Sequence, residues 1–109
     1  MNWKDEISLE LSRAKEAERT GNQGRVRTSA RRASGIAIAE LGKRYTEKQY
    51  GRDFMTQLRS FALDAEIPEH VRNAAERLQA RVSPDFESPS KHPTEDAGII
   101  VQYIFEKLS

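Results

Sequence analysis

Four arginines within a short stretch, Arg25, Arg27, Arg31 and Arg32, are the residues whose type and spacing most readily suggest chemistry. Guanidinium groups bind phosphate and carboxylate oxygens through paired N–H donors. At about 100° per residue on a helix, Arg25 and Arg32 fall on one edge, while Arg27 and Arg31 fall on another. The sequence therefore predicts a packing helix with arginines on two edges and no continuous basic track, and a local anion-binding site at these four residues is the alternative.

Small residues occupy the helical faces between these arginines. Gly35 and Gly42 each cost about 1 kcal/mol relative to alanine inside a helix, so close packing is the simplest reason for them. We expect this face to contact a second copy of the chain, together with part of the last helix. The predicted dimer interface comprises Gly35, Ile38, Ala39, Gly42, Ile99 and Tyr103. Two alternatives stay open: glycines tolerated on a wet surface, and Ile99 and Tyr103 covered by residues 83–93 instead.

Residues suited to catalysis or metal binding are sparse. The two histidines, His70 and His92, are far apart in the sequence, and the absence of cysteine excludes disulfides and thiolate metal sites. The segment GNQG has the glycines of a phosphate loop but not its lysine-serine continuation. We predict no catalytic residue, no metal and no cofactor. An RNA-processing enzyme using Arg27, Arg31 and His70 is kept as a second hypothesis.

Composition limits the classes of partner. Eighteen basic against seventeen acidic residues give a net charge of +1, which supplies no overall field for nucleic acid or anionic membranes. The N-terminal residues MNWKDEISLE lack the apolar core of a signal peptide, and no apolar run approaches the ~20 residues of a membrane span. We expect one domain, 1–109, in a cytoplasmic protein without membrane contact.

Apolar spacing predicts four to five helices and no strand. The short turn TGNQG makes the first two helices antiparallel neighbours, with Gly21 ending the first and Asn22 capping the second. The predicted helices cover 2–20, about 25–45, about 50–64, 66–82 with Pro68 in the first turn, and a last helix capped by Thr94. The proline-containing segment 83–93 is predicted to be a loop. The predicted fold class is an all-α, up-and-down antiparallel helical bundle.

Three stretches carry a pattern that is similar to one family of small helical bundles. They are SRAKEAERTGNQGRVRTSARRASGIAIAEL, VRNAAERLQARVSPDFESP and TEDAGIIVQYIFEKL. In the order and the residue types of these stretches, the chain resembles the HEPN family. The resemblance implies an up-and-down bundle that commonly dimerises, and that works with a nucleotidyltransferase partner or acts on RNA.

The catalytic signature of that family is missing from this sequence. Catalytic members carry an arginine, a polar residue and, four to six residues after the arginine, a histidine. No arginine precedes His70 or His92 at that spacing, and Arg72-Asn73 is followed by no histidine at 76–79. The resemblance therefore implies a non-catalytic, homodimeric binding module, with a nucleotidyltransferase-type protein as a partner. Nucleic-acid or nucleotide binding by the arginines of the second helix is the alternative.

Overall fold

The second helix lies at the centre of the fold. The structure is a computed structural model that describes residues 2–80 and 90–109. Over these ranges it has no strand, and its helices are α1 (Trp3–Arg19), α2 (Gln23–Arg44), α3 (Phe54–Ala62), α4 (Glu69–Gln79) and α5 (Pro93–Lys107). α2 packs against α1, α3 and α5, and α4 packs against α3 and α5. The prediction of an all-α helical bundle is confirmed for the described ranges.

The turn between α1 and α2 forms as its residue types predict. Gly21 has a φ of +76°, the left-handed conformation that commonly ends a helix. The side chain of Asn22 accepts a hydrogen bond of 3.1 Å from the backbone N–H of Arg25, and so caps α2. Both predicted roles are confirmed. This turn fixes α1 beside the first turns of α2, where the arginines lie.

α3 is shorter than the predicted helix from about Tyr50 to Asp64. Gly51 has a φ of +116°, which is not a helical conformation. The helix begins after Asp53, whose carboxylate accepts 2.9 Å and 2.8 Å hydrogen bonds from the backbone N–H and the hydroxyl of Thr56. Leu63 caps its other end. Tyr50 therefore lies in the segment that connects α2 to α3, and its side chain is buried in the core.

The starts of α4 and α5 each correct a prediction. Pro68 is the N-cap of α4, outside the helix, and Glu69 is the first helical residue. α5 begins at Pro93, since a proline has no N–H to leave unpaired in the first turn. Thr94 is therefore not the cap, and its hydroxyl donates a hydrogen bond to Glu18 of α1 instead. Of the predicted loop 83–93, only residues 90–93 lie in the described ranges. Of the predicted helix 66–82, only residues 66–80 do.

The glycine face of α2 is closely packed, as predicted, but α3 of the same chain covers it. A Cβ placed on Gly35 would lie 2.1 Å from Cδ1 of Phe54, so only glycine lets the ring approach this closely. Phe54 shields Gly35 while staying 37% exposed itself. Ile38 is completely buried. The assignment of Gly35 and Ile38 to a dimer interface is therefore wrong, because neither is accessible to a second chain.

The other predicted interface residues keep part of their surface. Ala39, Gly42, Ile99 and Tyr103 are all half-buried. A Cβ on Gly42 would lie 3.4 Å from the carbonyl oxygen of Lys48, which is ordinary contact. No helix in the described ranges is both long enough and apolar enough to cross a bilayer.

Candidate anion-binding groove

The arginines of α2 line an open groove against α1. It has a volume of about 620 Å³ and is called the arginine groove here. Its lining residues are Glu10, Arg13, Asn22, Gly24, Arg25, Arg27, Thr28, Ser29, Arg31 and Arg32. Among these described residues, five guanidinium groups face one carboxylate, and the only apolar side-chain group is the methyl group of threonine. Such a surface favours anions through charge and N–H donors.

Glu10 supplies the internal counter-charge of the arginine groove. Its side chain is only 8% exposed. One carboxylate oxygen lies 3.2 Å from Nη1 of Arg13 and the other lies 3.9 Å from Nη1 of Arg32. The first distance is a hydrogen bond, whereas the second is an ion pair without one. Glu10 thus partly compensates two of the five guanidiniums.

Arg31 has a structural role that the sequence analysis did not predict. Its Nε donates a 2.7 Å hydrogen bond to the carbonyl of Leu78, and Nη2 donates one of 3.3 Å to the carbonyl of Ala80. These carbonyls end α4, where backbone acceptors lack partners within the helix. Burial, and then the charge of Arg27, lower the pKa of Arg31. The guanidinium therefore ties α2 to α4 and has fewer donors left for a ligand.

Among the described residues, Arg25, Arg27 and Arg31 have no carboxylate partner, and Arg25 and Arg27 also lack the carbonyl contacts that Arg31 makes. Within the described ranges, no hydrogen bond or ion pair engages either guanidinium. Arg25 is exposed and Arg27 is half-buried. Both head groups are available to an incoming anion without breaking a contact.

Glu10 and Arg13 are site residues that the sequence analysis missed. In α1 the apolar Leu11 is only half-buried, whereas Glu10 is buried. The available signal was spacing, since Glu10 follows Ile7 by three residues and precedes Ala14 by four. Positions three and four apart share one helix face. A carboxylate on that inward face, next to an arginine-rich helix, indicates an internal ion pair.

The structure separates the histidines from the arginine groove. His70 lines a different groove, with Glu95, Ile99 and Tyr103 of α5. Leu78, which Arg31 contacts, lies eight residues after His70 on α4, or about 12 Å along the helix axis. A site that combines Arg27, Arg31 and His70 is therefore not formed in this structure. In the part of the chain that the structure describes, no three His, Cys, Asp or Glu residues are grouped to hold a metal.

A second polar cluster surrounds Asp64, just after α3. Nζ of Lys48 lies 2.8 Å from Oδ2 of Asp64 and 2.9 Å from Oε2 of Glu66, and the Tyr50 hydroxyl donates a 2.6 Å hydrogen bond to Asp64. The hydrogen bond to Asp64, followed by that to Glu66, raises the pKa of Lys48 to about 12. Burial disfavours the ionised Asp64, but these donors outweigh it and lower the pKa of that carboxyl. Lys48 bridges both carboxylates and Tyr50 donates to one of them, so we assign this cluster to stability.

Comparison of the chain with known protein families, with characterised proteins and with solved structures found no match. The resemblance to the HEPN family stays a prediction. The basis for a functional proposal is therefore the chemistry of the arginine groove itself.

Proposed function

We propose that the protein is a non-catalytic binding module that recognises an anionic partner at the arginine groove. One observation carries the proposal: Arg25 and Arg27 are uncompensated in a groove whose described lining has five guanidiniums and one carboxylate. The net charge of the chain is only +1, so a general excess of positive charge does not explain the arginines of the groove. The local excess is therefore specific to this surface.

The lining residues favour binding over catalysis. The part of its lining that the structure describes contains no histidine or lysine, and the one carboxylate there, Glu10, already interacts with Arg13 and Arg32. The hydroxyl of Thr28 donates to the carbonyl of Gly24 in its own helix. A general base or an activated nucleophile would need a free acceptor positioned beside the reacting group. The groove instead supplies N–H donors, which hold an anion without changing it.

The HEPN resemblance adds a fold family and partner classes to this proposal. We infer a HEPN-like bundle that forms a homodimer and accompanies a nucleotidyltransferase-type protein. Support comes from the all-helical fold and from the missing arginine-to-histidine spacing. The phosphates of a nucleic acid or of a nucleotide would supply the anion. Binding of either kind should weaken with added salt.

The proposal is tested by retention on immobilised heparin, a polyanion. We expect the double variant Arg25→Glu, Arg27→Glu to elute at clearly lower salt than the wild-type protein. The matched control is Arg52→Glu, Arg59→Glu, which changes the net charge equally at two exposed positions outside the groove. Equal loss of retention in the two double variants would show a general charge effect and contradict a site in the arginine groove.

A further inference from the structure

Glu10 places one of the protein's own anions inside the surface that we assign to anion binding. We propose that Glu10 acts as an internal competitor, which makes the arginine groove select phosphate monoesters over carboxylates. The inference rests on the proposed function of the groove. It assigns to that groove a ligand class, the phosphate monoester dianion.

The competition follows from the position of Glu10. Its carboxylate is held in the groove by the fold, at 3.2 Å from Arg13 and 3.9 Å from Arg32. A tethered group has an effective concentration on the order of millimolar or more. At Arg13 and Arg32, a free carboxylate ligand brings the same single charge and the same two oxygens as Glu10, so it gains nothing by replacing that residue. It is also repelled by the negative charge that Glu10 keeps in the groove.

A phosphate monoester differs from a carboxylate in both charge and number of oxygens. It carries roughly −1.5 to −2 charges at pH 7 and three strong acceptor oxygens. Arg25 and Arg27 are free to bind it at once. Arg32 can join them, because its 3.9 Å distance from Glu10 is too long for a hydrogen bond and leaves its N–H donors unsatisfied by that residue. The extra charge offsets the repulsion from Glu10.

The remaining lining restricts recognition to the phosphate group. Among the residues that the structure describes, no aromatic side chain lines the groove, so none of them offers a nucleobase a surface on which to stack. A nucleoside monophosphate and the 5′-phosphate end of an RNA strand carry the same monoester. The groove therefore recognises this chemistry, and the two sources are distinguished by experiment.

The test compares Glu10→Gln with Glu16→Gln, which removes an equal charge from an exposed position of α1 outside the groove. The probes are adenosine monophosphate, a short RNA with a 5′-phosphate, the same RNA with a 5′-hydroxyl, and a glutamate-rich peptide. We expect the wild-type protein to bind both phosphorylated probes more tightly than the peptide and the 5′-hydroxyl RNA. Glu10→Gln should raise the affinity for the peptide roughly tenfold, with a smaller gain for the monophosphate, while Glu16→Gln changes neither.

Several outcomes would overturn the inference while leaving the proposed function intact. These are a wild-type protein that binds the peptide or the 5′-hydroxyl RNA as tightly as the phosphorylated probes, or equal effects of Glu10→Gln and Glu16→Gln. The wild-type comparison needs no variant, so it decides the matter even if Glu10→Gln unfolds. Failure of the proposed function would appear separately, as equal heparin retention of the two arginine double variants. Tighter binding of the 5′-phosphate RNA than of the monophosphate would identify an RNA end as the source.

Discussion

Asp64 illustrates how single side chains set the stability of this bundle. Its side chain is only 14% exposed, and it accepts hydrogen bonds from Lys48, Tyr50 and the backbone N–H of Glu66. Each donor favours the ionised carboxylate over the protonated form. The lowered pKa of Asp64 is therefore also a statement about folding free energy, because the unfolded chain lacks these donors.

We expect Asp64→Asn to lower the free energy of unfolding by about 2 kcal/mol at neutral pH, since it removes hydrogen bonds to a charged group. A carboxyl with a folded-state pKa below its unfolded value of 3.8 contributes stability that is present above that value and lost as the pH falls through the folded pKa. The difference between wild type and variant should therefore shrink as the pH falls below about 4. Urea denaturation across this range measures it, and a pH-independent difference would contradict the assignment.

Between elements, the fit of Phe54 on Gly35 determines where α3 lies on α2. The free-energy cost of a glycine inside a helix predicts close packing at Gly35, because this cost is a local property of the chain. That α3 supplies the contact could not be predicted, because the position of α3 depends on the path of the segment after Tyr45. Asp53 followed by Thr56 indicates a helix start at Phe54, but the predicted helix begins at about Tyr50, which is too early.

Gly35→Ala should destabilise the protein by about 1 to 3 kcal/mol, because the new methyl group would overlap the Phe54 ring. The matched control is Gly98→Ala in α5, where nothing lies within 4 Å of the added Cβ. That change should stabilise the protein by up to about 1 kcal/mol through helix propensity. Thermal unfolding of both variants measures the contrast. Similar shifts in the two variants would contradict the close contact between α2 and α3.

The arginines of α2 divide into structural and binding residues, which the helical wheel alone could not separate. Arg27 and Arg31 lie on the same edge, yet only Arg31 reaches the carbonyls that end α4. Likewise, the spacing of Glu10 places it on the inward face of α1, but its ion pair with Arg32 depends on the register of α1 against α2. The residues that share one helix face can be derived from a single sequence, but which two faces pack against each other cannot.

Arg31→Ala should lower the free energy of unfolding by about 1 to 3 kcal/mol, because the last carbonyls of α4 lose charged hydrogen-bond donors. Arg27→Ala should leave stability within about 0.5 kcal/mol of wild type, since its guanidinium has no partner in the described ranges. Chemical denaturation compares the two variants. A stability loss as large in Arg27→Ala as in Arg31→Ala would contradict this division.

For the whole molecule, the burial of Gly35 and Ile38 leaves the outer face of α5 as the main surface for the predicted homodimer. Ile99 and Tyr103 are half-buried there, beside the open position Gly98. We expect light scattering at high concentration to give twice the chain mass of 12.4 kDa. Gly98→Arg should yield a folded monomer, because the monomer has room for the side chain but a close partner does not. A wild-type protein that stays monomeric would contradict the dimer.

The described residues that line the arginine groove lie between positions 10 and 32. Only the short turn around Gly21 separates the two helices that carry them, so little chain entropy is lost in bringing them together. Contacts this close in sequence are the kind that form early in folding. During synthesis from the N-terminus, every residue of the groove has been added to the chain before any residue of α3, α4 or α5 exists.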